Sequence, residues 1–371
     1  MSVGGRMVNT RYRAYLERVI LGEDQGFLSW VVRGFLLPLS LIYRAGLAVY
    51  LGFYALGLRK RCRLDVPVVS VGNLTFGGTG KTPAVQAMCR MLMERGKRVV
   101  VLSRGHGGSA RGSLIVSDGE SVLCKSPESG DEPMLLAKSL PGVPVIVGKD
   151  RRASGRLARE RFRPDVIVLD DGLQYWQLHR DLDIVVLNAA RPFGTGFVMP
   201  MGDLREPIGG LRRAGVVLVT NSDGQTQDAA LRKVKSIAPK AACFAGSHRP
   251  TRFVNAAAGA GVELEWVRER KVAAFCGIGR PRGFRDMLTA LGALIVDWAV
   301  YPDHHPYSRN DLAVIRDSAA RAGAEAIVTT AKDLARLDQA GLIGDLYVLE
   351  IELEIEDSSS CGSVIFQAID G

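Results

Sequence analysis

The strongest chemical pattern in the chain is Gly72-Asn73-Leu74-Thr75-Phe76-Gly77-Gly78-Thr79-Gly80-Lys81-Thr82-Pro83, directly after Val68-Val69-Ser70-Val71. It reads as a strand, a glycine loop and the start of an amphipathic helix that runs to about Glu94. Glycines in such a loop let backbone N–H groups close around phosphate oxygens, and the helix N-terminus adds positive potential. Lys81 would reach the outer phosphates of a nucleoside triphosphate, and the Thr82 hydroxyl can ligate Mg²⁺. Thr75 stands where the strict phosphate-loop pattern has its first glycine, so the match rests on Gly77, Gly78, Gly80, Lys81 and Thr82. The candidate nucleotide-binding set is Thr75, Phe76, Gly77, Gly78, Thr79, Gly80, Lys81 and Thr82. A second pattern, Val166-Ile167-Val168-Leu169-Asp170-Asp171-Gly172, ends an apolar strand in two carboxylates. In phosphate-loop enzymes a carboxylate so placed organises the metal ion, so Asp170 and Asp171 join Thr82 as candidate metal residues. Two aspartates capping a turn before Gly172 would look the same.

The group that receives a phosphate must be activated by other residues. Gly130-Asp131-Glu132-Pro133 opens a helical stretch over 134–140, so Asp131 is either a helix cap or the carboxylate that accepts a proton from an attacking hydroxyl. Tyr301-Pro302-Asp303-His304-His305-Pro306-Tyr307 puts two of the five histidines in a proline-bounded turn. One of them can partner a carboxylate near neutral pH, although a plain surface turn would read alike. Adjacent histidines in an extended segment point to opposite sides, which disfavours a shared metal.

These residues need elements to position them. Short apolar runs at 66–71, 98–103, 144–148, 166–169, 183–187 and 215–220 alternate with amphipathic stretches. Runs at 272–276, 293–298, 325–330 and 347–351 continue the pattern. Continuous hydrophobicity marks parallel strands covered on both faces, so the expected class is a doubly wound, mostly parallel α/β fold. The polar stretch 221–227 suggests a boundary, giving an N-terminal segment 1–63, a nucleotide-binding domain 64–220 and a smaller C-terminal α/β lobe 221–371.

The chain has 371 residues and a net charge of +9, with a hydrophobic and charged content that excludes disorder. Residues 1–63 hold ten Lys or Arg against three Asp or Glu, so they carry most of that charge. The nearly neutral remainder argues against nucleic acid as the partner. Within the basic segment, residues 34–58 contain a single charge, Arg44, and Arg59, Lys60, Arg61 and Arg63 follow at once. That pattern suits an anionic membrane surface. Pro38, Gly46, Gly52 and Gly57 should weaken a helix there, and Arg44 makes an interfacial or re-entrant segment a better fit than a clean span. A pair of hydrophobic helices buried against the domain is the alternative. Six cysteines without a Cys-x-x-Cys pair suggest a reducing cytosol and no zinc site.

Taken in order, the motifs resemble those of the tetraacyldisaccharide 4'-kinase family. The residues that carry the resemblance are Gly72-Asn73 with the run from Gly77 to Pro83, Ser103-Arg104-Gly105, the Gly130 to Pro133 run and Asp170-Asp171-Gly172-Leu173-Gln174. Pro200, Gly202, Leu204 to Pro207, Pro302 to His305, and Thr329-Thr330 with Lys332-Asp333 complete them. The resemblance implies ATP with Mg²⁺, a phosphate-loop fold, a smaller lobe completing an active-site cleft and a membrane-associating N-terminal helix. It also implies a lipid A disaccharide precursor as acceptor, no obligate protein partner, and work at the cytoplasmic face of a Gram-negative inner membrane. Carried over by motif, Asp131 and His304 form a catalytic dyad, with His304 preferred to His305 because the family motif centres on the Asp-His step. Asn73, Arg104, Arg151 and Arg205 are candidate contacts for an anionic substrate. Tyr175, His106 and Ala331 depart from the family pattern. The competing reading is a membrane-associated phosphate-loop ATPase switch of the partitioning type. A non-catalytic nucleotide scaffold is a further one, for which Asn221-Ser222-Asp223 lacks the lysine of a guanine-reading loop.

Overall fold

Val68, Val69, Ser70 and Val71 are all buried, so the strand they form must be covered on both faces. The computed structural model describes residues 15–16, 18–24, 26–220, 224–337 and 344–370. The proposed boundary residues Asn221, Ser222 and Asp223 lie outside them. The strands are β1 (Val68–Gly72), β2 (Val99–Ser103), β3 (Leu114–Ser117), β4 (Val145–Val147), β5 (Val166–Asp170), β6 (Leu182–Asn188) and β7 (Val216–Thr220). They continue with β8 (Ala242–Asn255), β9 (Gly261–Val262), β10 (Lys271–Cys276), β11 (Leu294–Val300), β12 (Ala326–Thr330) and β13 (Leu346–Ile355). Every apolar run named above carries a strand, and helices alternate with them as expected of a mostly parallel α/β fold. The strands that escaped the pattern are β3, β8 and β9. β8 reads Ala-Cys-Phe-Ala-Gly-Ser-His-Arg-Pro-Thr-Arg-Phe-Val-Asn, whose Gly246 and Pro250 imitate a loop.

The chain divides into two compact units, each made of separate segments: 1–81, 171–246 and 355–371 in the first, 82–170 and 247–354 in the second. In the first, β1 pairs β6, β6 pairs β7 and β7 pairs the start of β8, all parallel. Its core joins Leu74, Leu173, Val185, Leu187, Val217 and Val219 to Val234 of the helix Gly224–Ile237. In the second, β5, β2 and β4 are parallel, with β3 antiparallel on β4. β10 lies between β11 and β12, and β12 pairs β13, again parallel. Phe275, Leu312, Ile315 and Ile327 pack the helix Arg309–Arg321 onto these strands.

The N-terminal apolar run forms one continuous helix, Phe27–Ala55, with Pro38 inside it. The expected weakening therefore does not interrupt it. A proline removes one hydrogen bond from the ladder, and here a long helix on both sides sustains the rest. The helix is long and apolar enough to cross a bilayer. Its polarity is inverted relative to a soluble helix: Ser29, Arg33 and Ser40 are buried, whereas Phe27 is 85% and Phe35 78% exposed. Ser40 Oγ donates to the Val198 carbonyl at 2.8 Å and Tyr43 Oη to the Arg205 carbonyl at 2.7 Å.

Candidate active site

The first unit holds the phosphate loop. Gly77 and Gly80 have φ of 102° and 87°, backbone that a side chain would strain, so glycine is required where the loop doubles back. Fully buried Asn73 braces the loop. Its Nδ2 donates to Thr79 Oγ1 at 3.0 Å, and its Oδ1 accepts from Lys81 Nζ and from Arg205 Nη1, each at 3.3 Å. Thr220, at the end of β7, donates its hydroxyl to the Thr79 carbonyl at 3.0 Å. Phe76 N–H donates to the Asp203 carbonyl at 2.8 Å, and Thr75 is buried beside Leu204 through a β-bridge. Phe76 itself is exposed, under the Arg205 guanidinium at 5.6 Å. Gly78 is also exposed.

Asp171 stands just past β5 with φ of 51°, a conformation unusual for a residue with a side chain. Its Oδ1 takes a 2.6 Å hydrogen bond from Arg205 Nη1 and lies 3.9 Å from Lys81 Nζ. Two cations therefore converge on one carboxylate at the loop. Behind them Gln174 Nε2 donates to the Asn73 carbonyl at 3.0 Å and to Glu206 Oε1 at 2.7 Å. Arg213 holds both Glu206 oxygens at 2.6 Å, a bidentate pair with little solvent access. Asn73 and Arg205, expected as substrate contacts, thus act within this unit as struts of the loop. Thr220, Gln174, Glu206 and Arg213 were not among the candidates, because nothing in their spacing reveals a hydrogen bond closed by the fold.

In the second unit Thr82 is buried within the first turn of the helix Lys81–Glu94, whose buried face also includes Val85, Met88, Cys89 and Leu92. Asp170, at the end of β5, is buried, and its Oδ2 accepts from Ser103 Oγ at 2.8 Å. Arg151 is buried as well and donates Nη2 to the Asp170 carbonyl at 3.0 Å, which gives it a structural task at this strand end. Arg104 is exposed.

The same unit brings Asp131 and His304 together. The helix Asp131–Ser139 is entered through Gly130, whose φ is 87° and whose added Cβ would lie 2.4 Å from the His106 carbonyl oxygen. Only glycine allows this approach, and it launches Asp131 away from a capping role. The Asp131 carboxylate accepts instead from Ser126 Oγ at 3.2 Å and Arg336 Nε at 2.8 Å, and its Oδ2 lies 3.6 Å from His304 Nδ1. The His304 imidazole and then the Arg336 guanidinium hold this carboxyl below the ordinary range, against the burial that raises it. His304 has φ of 61°, and its N–H donates to Asp303 Oδ1 at 3.0 Å. Strain of this kind concentrates at functional sites. His305 goes elsewhere: its Nε2 is 3.3 Å from Asp311 Oδ2, within the cap of the helix Arg309–Arg321, and its ring packs between Tyr301 and Tyr307. The two histidines of the turn are therefore told apart by their carboxylates.

A glycine loop between a buried parallel strand and a helix beginning Lys81-Thr82 defines the phosphate-loop NTPase class of fold. Within that class the chain belongs to the tetraacyldisaccharide-1-P 4'-kinase family, which matches residues 32–370. The tetraacyldisaccharide 4'-kinase of Syntrophus aciditrophicus is 42% identical over 88% of this chain and 91% of its own length. That of Anaeromyxobacter dehalogenans is 41% identical over 92% and 91%. Among solved structures, the "apo" form of LpxK from Aquifex aeolicus in complex with ATP superposes with a TM-score of 0.75 at 31% identity, covering 91% of this chain and 99% of that one.

Proposed function

We propose that the protein transfers the γ-phosphate of ATP to the 4'-hydroxyl of a tetraacyldisaccharide 1-phosphate, a precursor of lipid A. The observation that carries the reading is the Asp131 carboxylate held beside His304 in a chain that also has a phosphate loop between β1 and the helix Lys81–Glu94. The loop N–H groups and Lys81 bind the phosphates. Asp131 accepts the proton as the acceptor oxygen bonds to phosphorus and the bond to the β-phosphate oxygen breaks, leaving ADP. His304 orients Asp131 and shares the charge. A partitioning-type switch would have no use for this pair, and family membership sets that alternative aside.

Thr82, Asp170 and Asp171 offer hydroxyl and carboxylate oxygens, the donor set of a hard cation. Among the described residues no group of three or more His, Cys, Asp or Glu could hold a metal. Thr82, Asp170 and Asp171 would hold Mg²⁺, with the Asp171 carboxylate also paired to Arg205. The ion would supply charge neutralisation at the transferred phosphoryl group. Exposed Arg104 is the remaining candidate for the substrate's anionic 1-phosphate.

Residues 1–63 serve membrane contact, 64–220 bind nucleotide and supply Asp131, and 221–371 form the smaller lobe that supplies His304. The inverted polarity of the helix Phe27–Ala55 supports the first assignment, since apolar side chains facing outward need an apolar solvent. The enzyme then works at the cytoplasmic face of the inner membrane of a Gram-negative bacterium, without nucleic acid and without an obligate protein partner.

The test is transfer of radiolabel from γ-labelled ATP to a tetraacyldisaccharide 1-phosphate in mixed micelles. Label should appear in the lipid and depend on Mg²⁺; label released only as inorganic phosphate refutes the reading. Flotation with anionic vesicles checks the membrane assignment. The full chain should float and a chain lacking residues 1–55 should stay behind, whereas equal behaviour removes the helix from that role.

A further inference from the structure

Arg336 lies outside every motif named above, yet it is the most heavily engaged side chain around Asp131. It is 3% exposed and uses all three guanidinium nitrogens. Nε donates to Asp131 Oδ2 at 2.8 Å, and Nη1 donates to the Gly277 carbonyl at 2.7 Å and lies 3.3 Å from Asp333 Oδ1. Nη2 approaches His304 Nδ1 at 3.4 Å and Asp303 Oδ1 at 3.9 Å.

The guanidinium is itself fixed from behind. Asp333 has no solvent exposure, and its carboxylate accepts from Gly277 N–H at 3.0 Å, Tyr307 Oη at 3.0 Å and Thr330 Oγ1 at 2.6 Å. Gly277 thus donates to Asp333 while its carbonyl accepts from Arg336, closing a ring of hydrogen bonds. Asp333 and Arg336 are three residues apart at a helical turn, which puts both on one side. No lysine could make these contacts together, because an ammonium is a single point of donors whereas a guanidinium is a planar fork.

We propose that Arg336 is a positioning residue for phosphate transfer: it clamps the Asp131 carboxylate in one orientation beside His304. This rests on the function proposed above. The groups around Asp131 are Ser126 from the preceding short helix Ser126–Ser129, His304 and Asp303 from the histidine turn, and Arg336 from the turn after the helix Ala331–Leu334, with Glu132 and Lys332, themselves 3.6 Å apart, alongside. Arg336 is the cation closest to the carboxylate among them, and its removal should let the Asp131 carboxyl rise.

The experiment compares the full-length chain with R336K and R336M, using phosphate transfer across pH and a carboxyl-carbon NMR titration of Asp131, assigned against D131N. In R336M, kcat should fall about 100-fold with the ATP KM within about threefold, the acidic limb of kcat should move to higher pH, and the Asp131 carboxyl should titrate higher. In R336K the retained charge should keep the titration near that of the unaltered chain, while kcat still falls at least about tenfold because the fork is lost. If R336M keeps kcat within about twofold and the Asp131 titration does not move, the proposal is overturned. Where R336M fails to fold, R336K decides, and an unchanged kcat there is equally fatal. If the unaltered chain phosphorylates no lipid, the functional reading falls instead, and the titration still judges the clamp.

Discussion

Replacing Asp131 by asparagine should lower kcat for phosphate transfer by about three orders of magnitude while leaving ATP affinity nearly unchanged. The substitution is close to isosteric, so Ser126 can still donate to the amide oxygen and the helix entered through Gly130 has no reason to move. What disappears is the charge that Arg336 contacts at 2.8 Å and the carboxylate oxygen 3.6 Å from His304 Nδ1. Because the carboxyl is held below its ordinary range, the unaltered enzyme carries it ionised throughout the neutral region. The acidic limb due to this group therefore lies below the usual carboxylate value, and activity is lost only as pH falls through it. Steady-state transfer assays with equilibrium ATP binding check the prediction. A variant that keeps a tenth of the activity would show that proton acceptance is not Asp131's task. His304→Ala should give a smaller loss, since it removes an orienting partner and leaves the carboxylate.

The second large effect is expected at Lys81. Its ammonium lies 3.3 Å from Asn73 Oδ1 and 3.9 Å from Asp171 Oδ1, mostly out of solvent. Lys81→Met keeps the length and removes the charge. It should cost ATP affinity and transfer together, by about 10²–10³ in kcat/KM, the scale of one preorganised charge at a transferring phosphoryl group. Arg205 would remain on Asp171 at 2.6 Å and cannot substitute, because its other contact is the Asn73 oxygen that braces the loop. Calorimetric ATP binding beside turnover separates the two losses. A variant that binds ATP normally would place the triphosphate elsewhere.

Much of the architecture was legible because parallel strands covered on both faces must be apolar along their whole length. Val68 to Val71, Val99 to Leu102 and Val166 to Leu169 announce themselves for that reason. β8 did not, since only part of it is buried and Pro250 and Gly246 interrupt its pattern. The N-terminal segment was legible as apolar and basic, but its continuity through Pro38 was not, because helix propensity is a local quantity and a long helix outweighs one missing bond.

For the site the division is sharper. By itself the sequence determined the phosphate loop, the paired aspartates and the Asp-His turn, because backbone geometry around phosphate demands glycine, lysine and threonine at fixed spacing. Only the tertiary structure decided that His304 lies beside Asp131 while His305 turns to Asp311, that Asn73 and Arg151 hydrogen-bond to a loop and a strand end, and that Arg336 contacts Asp131. Those assignments depend on contacts between residues distant in the chain, and such contacts leave no periodicity behind. A loop that binds phosphate is written in consecutive residues; a carboxylate and its clamp exist only once the strands have set them side by side.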